Sequence, residues 1–295
     1  MENVILLRYT EITLKGKNRS FFEDMLINNI RKTLQRKEIS FSYIKKARGR
    51  VLVGFEGEKD PKTAFPLLER VFGVQSLSKA LLVKPEIEYI KMASSKILEG
   101  CDFQTFRVSA KRGDKSFSKT SNDVERELGA FVGERFGKKV DLKKYDMEIK
   151  VEIFNGVATV SAQTVFGPGG LPVGCGGVVF VGSDYANYLS AAYYMMKRGC
   201  KAVFYGGKKP RENILEGYNV GLPVSYLERK VETKEDLLGT MKKNRTQAFV
   251  VGLGVEDFFK TKEDFPKDCL FLGPLIGFDK SYVENLEKFL AGEKN

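Results

Sequence analysis

"GVVFVGSDYANYLSAAYYMMKRG", residues 177–199, is an apolar run, then a short polar loop, then an amphipathic helix. A buried strand that hands over to a helix in this way often presents the first helical amides to a phosphate. The loop reads Gly182-Ser183-Asp184-Tyr185-Ala186-Asn187-Tyr188, with one glycine and one acid. The question is whether it binds a nucleotide or keeps only the outline of such a site.

Working outward from it, strand and helix alternate to the C-terminus. "GVVFVG", a helix to Arg198, "KAVFYGG", a helix, "LPVSYLE", a helix, "QAFVVGLG", "CLFLGPL" and a final helix predict an α/β Rossmann-like parallel sheet over 178–295. Before it, "GPGGLPVGCGG" is too rich in Gly and Pro for either element, and residues 168–177 are read as an interdomain linker. The first half has a different rhythm. Strand Val4–Arg8, helix about 18–37, strands about 39–45 and Val51–Phe55, helix about 60–72 and strand about 75–83 give the β-α-β-β-α-β order of a ferredoxin-like domain, placed at 1–80. Residues 81–167 form a further α+β domain, with a helix near 85–99, the strand "FQTFRVSA", and a helix over "SNDVERELGAFVGERF" started by Ser121-Asn122-Asp123. A hairpin follows, turning at Asn155-Gly156, the strongest hairpin signal in the chain.

Composition sets the bounds. A chain of 295 residues with 42% hydrophobic and 29% charged residues builds two or three ordinary cores. No apolar run reaches the 18 or so residues needed to span a bilayer, and the start lacks the basic and small-residue marks of a signal peptide. Cys101, Cys175, Cys200 and Cys269 form no C-x-x-C pair and read as reduced thiols of a cytoplasmic protein. With no histidine, a Ser–His–Asp or histidine-ligated zinc mechanism is excluded and no metal is expected. Net charge is +11 and uneven: residues 1–50 hold 12 Lys/Arg against 5 Asp/Glu, whereas residues 251–295 hold 6 against 9. A basic front suggests a docked polyanion, although Lys-rich solvated surfaces are common.

Two stretches carry a resemblance. "LRYTEITLKGKNRSFFEDML" resembles the opening of the tRNA 4-thiouridine synthetase (ThiI) family, and "FRVSAKRGDKSFSKTSNDVERELGAFV" resembles the core of its THUMP RNA-binding domain. "VFGVQSLSKA", "VDLKKYDMEIKVEI" and "GPGGLPVG" follow the same order, and the likeness resumes at "MKRG" and "GPLIGFDKSYVENLEKFL" in the family's PP-loop ATPase domain. The family's phosphate loop there reads S-G-G-x-D-S. Aligned on Met196–Gly199, its first serine falls on Ser183, its glycines on Asp184 and Tyr185, its aspartate on Asn187 and its second serine on Tyr188. Side chains replace the glycines that let backbone approach phosphate, and Asp184 adds a negative charge where phosphates would sit. The stretch "VGLGVEDFFKTK" also departs from the family's pattern, and the sequence ends at Asn295 without the cysteine-bearing continuation that takes part in sulfur delivery. The resemblance therefore implies a degenerate PP-loop: no catalytic residue, no cofactor, and no ATP bound in the family's manner.

The basic motifs survive. Lys15, Lys17 and Arg19 crowd the turn at Gly16, with Asn18 placed to cap the next helix. Lys111, Arg112, Lys115 and Lys119 surround Gly113-Asp114, with Phe117 interleaved as a base-stacking aromatic. Arg48 and Arg50 sit in "KKARGR". A solvated loop is the bland alternative for each, and the family likeness favours RNA for the first two. The resemblance implies tRNA as partner, gripped at its acceptor stem and 3′ end, and a homodimer. The expected function is a non-catalytic tRNA-binding adaptor that serves a separate modifying enzyme. The alternatives are 4-thiouridine formation with ATP activation or sulfur supplied in trans, and a different small-molecule enzyme built around Ser183, Asp184 and Asn187.

Overall fold

The computed structural model describes residues 1–47, 49–56, 59–207, 209–211, 213–229 and 233–293. They group into two compact units, Met1–Tyr9 with Glu38–Glu69 and Val74–Gly167, and Thr10–Lys37 with Arg70–Gly73 and Pro168–Asn295.

The first unit is built on one sheet. Its strands are β1 (Glu2–Arg8), β2 (Tyr43–Ala47), β3 (Arg50–Phe55), β4 (Ser76–Val83), β5 (Thr105–Arg112), β6 (Lys139–Val140), β7 (Met147–Phe154), β8 (Val157–Ser161) and β9 (Val165–Phe166). The order is β2-β3-β1-β4-β8-β7-β5-β6, with β9 also on β4. The first four strands have the ferredoxin-like arrangement. β4 then pairs antiparallel with β8, so the sheet runs on into the second half of the unit. The hairpin β7–β8 turns at Asn155 (φ 48°) and Gly156 (φ 72°), the two left-handed residues a tight primed turn requires. The helix Ser121–Phe136 starts where the sequence signal puts it, and Thr120, one residue earlier, is the cap, in a reciprocal box with Asp123. Alternate residues Leu81, Val83, Phe106, Val108, Ile149, Val151 and Val160 face the helices Ser121–Phe136 and Ile87–Leu98, forming this core.

The second unit includes the long amphipathic helix Arg19–Arg36, whose Asn29 amide donates to Val173 O at 3.0 Å. Its parallel sheet has strands β10 (Val178–Gly182), β11 (Lys201–Gly206), β12 (Ser225–Glu228), β13 (Thr246–Val250) and β14 (Phe271–Leu272), in the order β12-β11-β10-β13-β14. Residues alternate between two cores. Val179, Val181, Phe204, Ala248 and Val250 face the helices Tyr188–Lys197 and Lys280–Ala291. Phe180, Tyr205, Phe249 and Val251 face Leu237, Met241 and Phe258 of the helices Lys234–Lys243 and Val255–Glu263. The Gly/Pro segment 168–177 is anchored here rather than loose. Leu171 N donates to Lys197 O, and the Gly174 and Gly176 amides both donate to Gly199 O. A Cβ on Gly170 would come 2.2 Å from Lys197 O, so the glycine is there for close approach. Among the described residues no helix is long and apolar enough to cross a membrane.

Candidate functional site

Two short 3₁₀ turns, Glu11–Leu14 and Gly16–Asn18, carry the first basic cluster straight into the helix Arg19–Arg36. Asn18 does not cap that helix with its side chain. Its backbone (φ −86°, ψ 1°) is already the end of a turn, whereas a capping residue needs the extended region. Arg19 is paired with Glu23 at 2.6 Å, and the Lys15 ammonium lies 5.1 Å from the Phe22 ring centre. Lys17 is exposed.

The second cluster divides in two. Lys111 and Lys115 are exposed. Arg112 turns back into its own loop, donating from Nη1 to the carbonyls of Phe117 (3.1 Å) and Lys119 (3.3 Å). Lys119 is paired with Glu127. Phe117 is 8% exposed and packs in the core around Leu128 and Ile153, so the stacking role expected of it is corrected to a core role. Asp114 accepts from the Ser116 hydroxyl (2.7 Å), the Ser116 amide and the Gly156 amide. These bonds hold its carboxyl below the usual range, as for a residue that shapes a turn. In the third cluster Arg48 lies outside the described residues. Arg50 is ion-paired with Glu152 at 2.8 Å beside Arg8 and stacks 4.3 Å over the Phe154 ring. A residue so committed is a brace of the sheet.

The loop after β10 is filled from within. Tyr185 folds over Gly182 and meets Phe249 edge-on at 6.4 Å, and Tyr188 meets Phe204 edge-on at 5.3 Å. Burial pushes both phenols above their ordinary pKa. Asn187 sits in the left-handed region (φ 53°) and donates to Gly252 O at 3.2 Å. The Asp184 carboxylate accepts from Gly207 N at 3.0 Å and faces Arg229 at 3.4 Å. The Ser183 hydroxyl is buried beside Gly206 and has no partner among the described residues.

One residue here was not legible in the sequence. Glu287, on the helix Lys280–Ala291, accepts from Leu189 N (3.0 Å), Ser190 N (2.7 Å) and Ser190 Oγ (2.6 Å). These are the first amides of the helix after the loop, where its dipole favours an anion. The anion present is an internal carboxylate. A cavity of about 300 Å³ opens at the same strand ends on the other face, between Asp184, Tyr205, Arg229 and Asp264. Among the described residues no group of three or more metal-ligating side chains occurs.

The chain thus combines a sheet whose ferredoxin-like half continues into a second α+β half with a parallel α/β unit. Family models match in both places: the ThiI ferredoxin-like domain over residues 4–78 and the THUMP domain over residues 88–163. A probable tRNA sulfurtransferase of Thermococcus kodakarensis is 33% identical over 259 residues, 82% of this chain and 67% of that protein. One of Moorella thermoacetica is 38% identical over 201 residues, 68% of this chain and 50% of that protein. The chain thus spans between half and two thirds of the length of these curated relatives. Among solved structures, PH1313 from Pyrococcus horikoshii superposes with a TM-score of 0.83 at 28% identity, covering 97% of this chain and 98% of that one. A 4-thiouridine synthetase–RNA complex with bound ATP shares the fold (TM-score 0.78, 24% identity, covering 98% of this chain and 85% of that one). The chain belongs to the tRNA sulfurtransferase (4-thiouridine synthetase, ThiI-type) family.

Proposed function

We propose that this chain is a tRNA-binding member of its family that does not hold ATP in the family's manner and presents tRNA, in the cytoplasm, to a separate modifying enzyme. The observation that carries this reading is the carboxylate of Glu287 on the Leu189 and Ser190 amides. A phosphate bound there would have to displace a carboxylate that already has three donors, and Asp184 would repel it from the adjoining loop. For the RNA, Lys17, Lys111 and Lys115 are the exposed cations of the first two basic motifs and can reach phosphates.

Calorimetry with millimolar ATP, and an adenylation assay on tRNA, test the claim. No saturable binding that depends on Ser183 is the expected result; tight binding lost in Ser183→Ala would overturn it. The names carried by the relatives favour a second reading, participation in tRNA thiolation with activation supplied in trans. Mass spectrometry of tRNA nucleosides from a deletion strain separates the two, since only the second requires 4-thiouridine to disappear.

A further inference from the structure

A second cavity lies wholly within the first unit and belongs to none of the basic clusters above. It has a volume of about 580 Å³ and sits over β4, between the helix Lys59–Leu68 and the helix Ile87–Leu98. Three lysines from three different elements converge on it: Lys62, Lys79 and Lys96, all exposed. The carboxylate on the wall is Asp146, and it is already committed. Its Oδ2 accepts from Gln104 N and Thr105 N at 2.9 Å and from Thr105 Oγ1 at 3.0 Å. Three lysines therefore line the cavity against one carboxylate, which those hydrogen bonds keep ionised, and the Lys79 ammonium also lies 5.0 Å from the Phe65 ring centre. The cavity beside Asp184 is different, with Arg229 and Lys234 balanced by Asp184 and Asp264.

We infer that this cavity binds a nucleoside phosphate, with the phosphate on Lys62, Lys79 and Lys96 and the base on the floor of the cleft. The floor is apolar, made by Leu81, Ile97 and Met147. A thioether and aliphatic side chains suit the flat face of a heterocycle, sulfur against a ring being favourable in its own right. The Gln163 amide on the wall offers the donor and acceptor pair that reads a base edge. Lysines act on phosphate as point charges and tolerate a range of poses, so a cluster on flexible stems is enough. The volume lies within the range of small-ligand sites, roughly 300–1,000 Å³. The ligand has two possible sources, a free mononucleotide or one nucleotide unit of a single-stranded RNA; only the second rests on the tRNA-binding reading.

Cys101 lines the same cavity and is the exposed cysteine of the four, Cys175 being half-buried and Cys200 and Cys269 buried. Its labelling by a maleimide therefore reports occupancy at a known place. In the full chain, uridine or adenosine 5′-monophosphate at saturation should slow Cys101 labelling about fivefold or more, given a site that covers most of its ligand. The Lys62/Lys79/Lys96→Ala triple variant should lose that protection, and the matching Lys→Arg triple, which keeps the charge, should retain it. Protection by a single-stranded oligoribonucleotide but not by mononucleotides assigns the site to an RNA strand. Absence of protection by either probe, or equal protection by laurate, would overturn the inference. ATP binding that depends on these lysines and not on Ser183 would support this site and leave the reading of the loop intact.

Discussion

Replacing Glu287 by alanine tests the internal-anion reading at its centre. The carboxylate serves Leu189 N, Ser190 N and Ser190 Oγ, and Leu189 and Ser190 are 3% and 0% exposed, so water has little room to take over. Each buried donor left unpaired costs about 1–3 kcal/mol, and losing a carboxylate from a helix N-terminus costs a further 0.3–1 kcal/mol or so. Glu287 itself is only half-buried, so partial rehydration brings the total to roughly 2–4 kcal/mol. For a body of this size that corresponds to a fall in Tm of roughly 5–15 °C. Glu287→Gln keeps the shape and one acceptor oxygen and should lose about half as much. Calorimetric unfolding of the full chain reads both variants. Added inorganic phosphate should restore part of the alanine variant's stability and none of the wild type's, because only the variant offers empty amides. A loss below about 0.5 kcal/mol in Glu287→Ala, within the scatter of surface substitutions, would refute the argument.

Phe117→Ala should cost about 3–5 kcal/mol in urea unfolding while leaving the tRNA affinity of the folded protein unchanged, since the ring lies in the core. A selective loss of affinity would restore the stacking role. Lys111 and Lys115 replaced together by alanine should flatten the salt dependence of tRNA binding by about 1.8 units if each meets one phosphate, whereas Arg112→Ala should lower stability instead. For pH, the carboxyls of Asp123 and Asp146 are held below the ordinary range, first by the Thr120 hydroxyl and first by the Thr105 amide respectively. A depressed folded pKa gives stability that is whole above about pH 4 and drains as pH falls towards that lower value. Asp146→Asn should therefore be less stable than wild type at pH 7, with the gap closing near pH 2 in matched melts.

What the sequence disclosed and what it hid follow from range. Asn155-Gly156 announces its turn because only those residue types accept two successive left-handed positions, and the alternation of β7 and β8 is a property of the strands themselves. The strand–helix rhythm after residue 177 is equally local. The placement of the helix Arg19–Arg36 was not: its amphipathic face says that it buries a side and not which side of the chain receives it. That choice is made by Leu26 against Gly73 and Asn29 on Val173, pairs far apart in sequence. Phe117 misled for a related reason. An aromatic among four cations reads as a stacking platform, yet Arg112 donates to the carbonyls of Phe117 itself and of Lys119, and the ring lies inward in the core.

The same distinction governs the loop that opened the problem. Read locally, Asp184 and Tyr185 in place of glycines look sufficient to close a phosphate site, and restoring the glycines looks sufficient to reopen it. On the proposed reading the second step fails. Tyr185 covers Gly182, Asp184 holds the Gly207 amide, and Glu287, about a hundred positions further along the chain, holds the helix amides independently of both. A chain restored to glycine at 184 and 185 would still present a carboxylate where the helix dipole seeks an anion. Its affinity for phosphate would be set by how readily that carboxylate leaves. On that reading the last helix closes the phosphate site as much as the loop does, and the phosphate rescue of Glu287→Ala is the measurement that tells them apart.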